Sequence, residues 1–170
     1  MQRFPESETL KVLDVGTGNG ALLFKLGKKG FKGSMIGIDY SEFSIKLANT
    51  IKETLPHEQV EKVSFRFENA FDLIDESTFD VIHDKGTFDV VYMNKDLENA
   101  DYAKALHFRL SRTNPNAVFI LTSCNLTSSE IDSIFCQQGL FKKFCEIKGY
   151  RQFTYGGVTG QVVSTNVYQL

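Results

Sequence analysis

The chain contains no tryptophan and only three cysteines, three histidines and three prolines among its 170 residues. An odd number of cysteines without C-x-x-C spacing favours free thiols over a disulfide or a zinc site; these are Cys124, Cys136 and Cys145. No histidine stands at a spacing from acidic residues that favours a metal site, and we expect His83 in the core or at its rim. The sequence therefore predicts neither a disulfide framework nor a bound metal.

Neither sign of charge dominates, and long apolar runs are missing. The 19 basic and 21 acidic residues give a net charge of −2, without a long run of either sign. No apolar run approaches the ~20 residues that a membrane-spanning helix needs, and the N-terminus lacks a signal-peptide core. These features predict a cytoplasmic protein, with the nucleus as a second compartment, that binds neither nucleic acid nor membrane. The length predicts a single domain over residues 1–170, which we expect to be a monomer.

Short apolar runs alternate with helical patterns along most of the chain. Strands are predicted at 11–15, 35–39, 63–67, 79–83 and 117–122, and helices at 19–29, 42–55, 97–110 and 128–138. Two final strands, at 140–147 and 161–168, are joined by a glycine-containing loop without a helix, so they should pair antiparallel. This order predicts a three-layer α/β/α Rossmann-like sandwich whose mostly parallel, seven-stranded sheet ends in an antiparallel hairpin.

Three alternate glycines, Gly16, Gly18 and Gly20, separate the first strand from the first helix. Glycine permits a turn in which a ligand lies directly against main-chain N–H groups at a helix N-terminus. The spacing G-x-G-x-G differs from the dinucleotide fingerprint G-x-G-x-x-G, and no Gly-Lys-Ser/Thr follows as in a P-loop. Asp14, at the end of the strand, would repel a pyrophosphate but can accept a hydrogen bond from a ligand ammonium group. The turn therefore favours S-adenosylmethionine over NAD.

Polar residues also follow the second and third predicted strands. Asp39 ends the second strand, where a carboxylate can bind both hydroxyls of a ribose. Glu68, Asn69 and Ala70 follow the third strand, where an amide or carboxylate can accept from an adenine amino group while a neighbouring N–H contacts the ring. These positions predict that a nucleoside lies across the ends of both strands.

The ends of the fourth and fifth strands lie where the reactive end of such a ligand would point. Asp84, Lys85 and Thr87 follow the fourth strand; an acid there can receive a substrate ammonium group, and a hydroxyl can orient its nitrogen lone pair. An ion pair capping the strand, with a helix beginning at Thr87, explains the same residues structurally. The segment 122–125 after the fifth strand is also polar, but its Cys124 has no evident histidine to activate it as a nucleophile.

The glycine turn, 12–20, followed by 37–41 (Gly-Ile-Asp-Tyr-Ser), resembles the first two motifs of the seven-strand S-adenosylmethionine-dependent methyltransferases. Three further segments resemble the lysine methyltransferases that modify translation elongation factor 1-alpha: 83–89 (His-Asp-Lys-Gly-Thr-Phe-Asp), 121–125 (Leu-Thr-Ser-Cys-Asn) and 153–157 (Phe-Thr-Tyr-Gly-Gly). The similarity extends from Leu10 to the C-terminus. The first two motifs identify the superfamily, and the segments Asp-Lys-Gly-Thr (84–87) and Thr-Ser-Cys-Asn (122–125) narrow it to a protein-lysine branch.

The resemblance implies methyl transfer from S-adenosylmethionine to a lysine nitrogen of elongation factor 1-alpha. It implies cofactor binding by Asp14, Gly16, Thr17, Gly18, Asn19, Gly20, Asp39, Tyr40, Asn69 and Ala70. The catalytic residues implied, near the incoming lysine, are Asp84, Lys85 and Thr87. Because the pKa of a lysine in solution is near ~10.4, the site must also favour its neutral form.

Members of this family usually carry a helical segment before the first strand, whereas residues 1–10 precede it here. We therefore expect a pocket that is open on the methionine side, and weak or absent activity. Two other functions remain open: a methyltransferase for a small molecule or nucleic acid, and a cofactor-binding module without catalysis. The nucleic-acid option is disfavoured because the chain has no Asn-Pro-Pro-Tyr at the fourth strand and no basic patch.

Overall fold

The computed structural model describes residues 7–72, 78–110, 114–155 and 158–170. The strands in these ranges are β1 (Lys11–Val15), β2 (Ser34–Asp39), β3 (Val63–Phe67), β4 (Val81–Lys85), β5 (Val118–Ser123), β6 (Lys142–Ile147), β7 (Gln152–Tyr155), β8 (Val158–Gln161) and β9 (Ser164–Gln169). The helices are α1 (Ala21–Lys28), α2 (Glu42–Glu53), α3 (His57–Val60), α4 (Thr87–Met93), α5 (Asn99–Arg109) and α6 (Ser128–Phe135).

Seven of these strands form one sheet in the order β3-β2-β1-β4-β5-β9-β6. Strands β1 to β5 pair in parallel, and β9 is antiparallel to both β5 and β6. The predicted fold class and the antiparallel pairing of the last two sheet strands are therefore confirmed. The carboxyl ends of β1, β2, β3, β4 and β5 lie along one edge, which places the polar residues that follow them side by side.

The structure corrects two parts of the predicted order. The fourth strand begins two residues later than predicted, at Val81, because Val81 pairs with Val12 of β1 while Phe79 forms only an isolated bridge to Leu110. Asp84 and Lys85 consequently lie inside β4. The predicted glycine-containing loop contains a separate hairpin, in which β7 pairs antiparallel with β8. Residues 156–157 of that segment lie outside the described residues.

Two helix starts follow from local sequence chemistry. The Ser41 side chain accepts a hydrogen bond from the Ser44 N–H and caps α2, as predicted. A capping box joins Thr127 to Glu130 at the start of α6, also as predicted. Both helices therefore begin immediately beyond the carboxyl edge of the sheet.

The apolar core lies on both faces of the sheet. Val12 and Leu13 are consecutive in β1 and belong to two different buried clusters, so the clusters occupy opposite faces. The larger cluster contains stacked and edge-on rings, with Phe135 centred 5.2 Å from Phe119 and 5.8 Å from Tyr168. Full burial of a large apolar side chain stabilises a fold by roughly 1.5–3 kcal/mol. This cluster fixes α4, α5 and α6 against the strands whose ends form the site.

Candidate cofactor cleft and active site

The carboxyl ends of the parallel strands open into a cleft of about 650 Å³. Sites for small molecules have volumes of roughly 300–1,000 Å³, so the cleft can hold a nucleoside-sized ligand. Its wall includes seven of the predicted site residues: Gly16, Asp39, Tyr40, Asn69, Ala70, Lys85 and Thr87. The remaining predicted residues, Asp14, Thr17, Gly18, Asn19, Gly20 and Asp84, are not part of that wall.

The glycine turn is in direct contact with the start of α4. The Thr87 hydroxyl donates a hydrogen bond to the Val15 carbonyl, at 2.9 Å. Gly16 has φ +65°, and a Cβ on it would lie 1.9 Å from Thr87 Oγ1. Gly18 also has a positive φ, but a Cβ on it would meet nothing within 4 Å, so open space lies beside this part of the turn. Gly16 is therefore required by close packing, whereas Gly18 leaves room for a ligand.

Asp39 connects the glycine turn to the start of α2. Its Oδ2 accepts a hydrogen bond from the Gly18 N–H and its Oδ1 accepts one from the Ser41 N–H, both at 2.9 Å. Each carboxylate oxygen has a further acceptor position, so Asp39 can still accept hydrogen bonds from two ribose hydroxyls. Beside it Tyr40 is 73% exposed at the mouth of the cleft. This arrangement fits the ribose and adenine of S-adenosylmethionine.

Asp14 lies behind the glycine turn, where both of its oxygens contact protein groups. The Thr17 hydroxyl donates to Oδ2, and His83 Nδ1 lies at hydrogen-bond distance from Oδ1, each at 2.8 Å. His83 therefore occupies the rim position expected for it, with Asp14 as its partner. The two residues are cross-strand neighbours in β1 and β4, a pairing that only the register of the folded sheet reveals.

The segment after β3 lines one side of the cleft. Asn69 Oδ1 accepts a hydrogen bond from the Phe71 N–H at 3.1 Å. The Glu68 carboxylate, which was the alternative acceptor for an adenine amino group, forms an ion pair with the buried Arg109. Asn69 and Ala70 also line the cleft, and their contact with an adenine stays a prediction. Arg109 was missed in the sequence, because it lies 41 residues from Glu68 and no local pattern connects the two.

Asp84 is completely buried, which corrects its expected position at the surface of the site. It accepts hydrogen bonds from the Tyr102 hydroxyl at 2.6 Å, the Thr87 N–H at 3.0 Å and the Phe88 N–H at 3.1 Å. Burial raises the pKa of Asp84 from 3.8 to about 6, although these hydrogen bonds oppose the shift. In this arrangement the carboxylate holds the first turn of α4 in place, and its predicted catalytic role stays a prediction.

The raised pKa of Asp84 predicts that the free energy of unfolding decreases as pH rises through the acid range. Between pH 4 and pH 6 the folded chain binds a proton at Asp84 that the unfolded chain has lost, so unfolding becomes easier as pH rises through this window. At about 1.4 kcal/mol for each unit of pKa, the whole contribution of the shift is about 3 kcal/mol, and the part of it that is lost between pH 4 and pH 6 is about 2 kcal/mol. We expect the free energy of unfolding of the wild type, minus that of Asp84→Asn, to decrease by this amount between the two pH values.

Urea unfolding of both chains at closely spaced pH values measures this difference. Asp84→Asn is the matched variant because it keeps the shape of the side chain and cannot titrate. A difference that stays constant from pH 4 to pH 6 would show that Asp84 titrates normally.

The segment after β5 is fixed to α4 through Asp89. The Ser123 hydroxyl donates to Asp89 Oδ1, and the Cys124 N–H donates to Asp89 Oδ2. Ser123 Oγ in turn accepts the N–H groups of Asn125 and Leu126. The buried polar residues of this segment therefore shape the loop. Lys85, at the end of β4, is exposed and lines the cleft.

The described residues contain neither a candidate metal site nor a candidate membrane-spanning helix. Within these ranges, no group of three or more His, Cys, Asp or Glu side chains is placed to hold a metal ion. In the same part of the chain, no helix is long and apolar enough to cross a membrane.

Comparisons with known proteins identify the class that this fold and cleft define. The family model described as "Methyltransferase domain" matches residues 6–167. A crystal structure of the glycopeptide N-methyltransferase MtfA complexed with S-adenosylmethionine matches with a TM-score of 0.71, at 9% identity, over 94% of this chain and 86% of that chain. The protein is an S-adenosylmethionine-dependent methyltransferase, and S-adenosylmethionine is its cofactor.

Two curated relatives define the branch. EEF1A lysine methyltransferase 2 from Danio rerio is 37% identical over 96% of this chain and 67% of its own length. The protein-lysine N-methyltransferase EFM4 from Saccharomyces cerevisiae is 35% identical over 92% of this chain and 69% of its own length. The chain belongs to the family of EEF1A lysine methyltransferase 2 and EFM4, of whose members it spans about two thirds.

Proposed function

We propose that this chain transfers a methyl group from S-adenosylmethionine to a lysine side chain of translation elongation factor 1-alpha. The observation that carries the proposal is its similarity, over nearly the whole chain, to relatives named for that activity. The cleft supports it, because one continuous wall joins Asp39 and Asn69 to Lys85 and Thr87. One end of that wall suits a nucleoside, and the other is open to an incoming side chain.

We assign the residues of the cleft to two tasks, of which the first is to hold the cofactor. Asp39 binds the ribose hydroxyls, Asn69 and Ala70 bind the adenine, and the turn that begins at Gly16 lies against the methionine portion. When bound, S-adenosylmethionine supplies a methyl group on a sulfonium, which is already a strong methyl donor. The main contribution of the protein is then alignment, which can lower a barrier by up to ~7–11 kcal/mol.

The second task is to receive a neutral lysine. Apolar side chains of the cleft wall, including Val90, Val91 and Leu97, remove the substrate amine from water and so lower its pKa. The positive charge of Lys85 acts in the same direction, because a nearby like charge disfavours the protonated form. The Thr87 hydroxyl donates to Val15 and keeps its lone pairs available to accept an N–H of the substrate amine.

Incubation with S-adenosylmethionine labelled on its methyl group tests the proposal. The acceptors are purified elongation factor 1-alpha, the same protein with its lysines chemically blocked, total RNA and a small-molecule extract. We expect label in the untreated elongation factor alone, and mass spectrometry of its peptides then identifies the methylated lysine. Label in RNA or in extractable material would replace the proposal with a different substrate class, and binding without any labelled product would indicate a module without catalysis.

A further inference from the structure

The adenine side of the cleft depends on a residue outside the cleft wall. Residues 68–72, which follow β3, contribute four consecutive wall residues from Glu68 to Phe71. Arg109, at the end of α5, is 3% exposed and points at this segment from behind. Its Nη1 donates to Glu68 Oε1, and its Nη2 donates to the carbonyls of Asn69 at 3.3 Å and Asp72 at 2.7 Å.

The other contacts of this segment are local or lie at its ends. The Glu68 N–H donates to the Asp39 carbonyl at 3.0 Å, which fixes the start of the segment. The Asp72 N–H donates a hydrogen bond to the Asn69 carbonyl at 3.1 Å. The Phe71 ring packs edge-on against the Tyr102 ring, with 5.3 Å between the ring centroids. Among the residues that the structure describes, Arg109 is thus the side chain whose hydrogen bonds connect the middle of the segment to the helical layer.

A guanidinium can hold residues 68–72 at several points at once, and an ammonium group is less suited to do so. The planar fork of arginine presents several donors in fixed directions, so it can serve one carboxylate and two carbonyls at once. The backbone of Arg109 is itself fixed, because its carbonyl accepts the Phe79 N–H at 2.8 Å. The carbonyl of Asn69, and with it the Ala70 N–H in the same peptide unit, is consequently held in one orientation.

Stability alone does not explain a buried arginine at this position. Replacing a buried ion pair with apolar residues is often neutral or stabilising, because burying two charges is costly. The buried Nε of Arg109 also lacks an acceptor among the residues that the structure describes, which adds to that cost. The benefit of the residue therefore lies in the geometry that it imposes on residues 68–72.

We propose that Arg109 is a positioning residue that sets the preference of the cofactor site for adenine. The inference rests on the proposed location of the adenine beside Asn69 and Ala70. Adenine presents an amino donor and a ring-nitrogen acceptor to this segment, whereas hypoxanthine presents a carbonyl acceptor and a ring N–H donor. A segment held in one orientation discriminates between these patterns, and a loosened segment adapts to both.

The test compares S-adenosylhomocysteine with S-inosylhomocysteine, in which hypoxanthine replaces adenine. Calorimetry measures both dissociation constants for the wild type, Arg109→Met, Arg109→Lys and the control Tyr168→Phe. Tyr168 is completely buried and donates to Asp132, so Tyr168→Phe also removes a buried hydrogen bond but does so in α6 and β9, outside the cleft wall. This control separates loss of stability from loss of positioning.

We expect the wild type to prefer the adenine compound by on the order of 10²-fold or more. In Arg109→Met this ratio should fall at least about tenfold, mainly through weaker binding of the adenine compound. The ratio for Arg109→Lys should lie between those of the wild type and Arg109→Met, and the ratio for Tyr168→Phe should equal that of the wild type. An unchanged ratio in folded Arg109→Met would overturn the inference.

The test also covers an Arg109→Met variant that does not fold and a wild type that shows no preference between the two compounds. If Arg109→Met does not fold, Arg109→Lys and Glu68→Gln carry the comparison, because both weaken the same link, and unchanged ratios in both would overturn the inference. If the wild type binds neither compound, or binds both equally, the proposed adenine site itself is wrong and the inference falls with it.

Discussion

Replacing Gly16 with alanine is expected to weaken cofactor binding by at least about 10²-fold. The new Cβ would lie 1.9 Å from Thr87 Oγ1, and the residue would keep a φ of +65° that alanine disfavours by about 1 kcal/mol. The turn or the start of α4 must then move, which breaks the bond from Thr87 to the Val15 carbonyl. Calorimetric titration with S-adenosylhomocysteine should show affinity reduced by at least about 10²-fold, equivalent to about 3 kcal/mol.

Gly30→Ala is the matched control for Gly16→Ala. Gly30 has φ +88°, but a Cβ on it would meet nothing within 4 Å, and Gly30 does not line the cleft. This variant therefore has the backbone strain without the collision. We expect it to lose about 1 kcal/mol of stability and to bind the ligand as the wild type does. Equal losses of affinity in both variants would show that strain, and not contact with Thr87, makes Gly16 necessary.

Asp39→Asn is expected to weaken cofactor binding by on the order of 10²-fold. The two carboxylate oxygens each accept a backbone N–H at 2.9 Å, from Gly18 and Ser41, and asparagine can replace only one of them. Its amide nitrogen would face an N–H group, and it would also lose acceptor positions for the ribose hydroxyls. Hydrogen bonds to charged groups are worth about 1.5–3 kcal/mol each, which sets the size of the effect.

Asp80→Asn provides a comparison of the same chemistry at the opposite edge of the sheet. Asp80 also accepts a backbone N–H, that of Lys11, at 2.8 Å, and it accepts the Asn114 amide at 2.7 Å. This substitution should reduce stability without changing the affinity for S-adenosylhomocysteine. If Asp39→Asn binds the ligand as tightly as Asp80→Asn does, Asp39 does not contact the ribose.

The succession of strands along the chain and the position of the cleft could be predicted because they depend on local patterns. Apolar runs identified the strands, and the carboxyl ends of parallel strands meet at one edge wherever their helices lie. Gly16 and Asn69 follow strands and Asp39 ends one, so their convergence required no knowledge of packing. The hairpin of β7 and β8 was missed because its glycine-containing sequence has the composition of a loop.

Burial and long-range partners could not be predicted in this way. Asp84 has the sequence context of a surface acid, and it is buried because α4 and Tyr102, which is 18 residues further along, cover it. The bounds of β4, which lie two residues later than predicted, contribute to the same error. Arg109 reaches residues 68–72 only after α5 has packed against the sheet. These contacts exist in the folded chain and have no counterpart in the pattern of residues around them.

A crystal structure of the chain with bound S-adenosylhomocysteine tests the central claim most directly. The account predicts the ligand in the cleft, with its ribose hydroxyls on Asp39, its adenine against Asn69 and Ala70, and its sulfur directed towards the opening beside Lys85 and Thr87. A ligand bound elsewhere, or a ribose that makes no contact with Asp39, would contradict it.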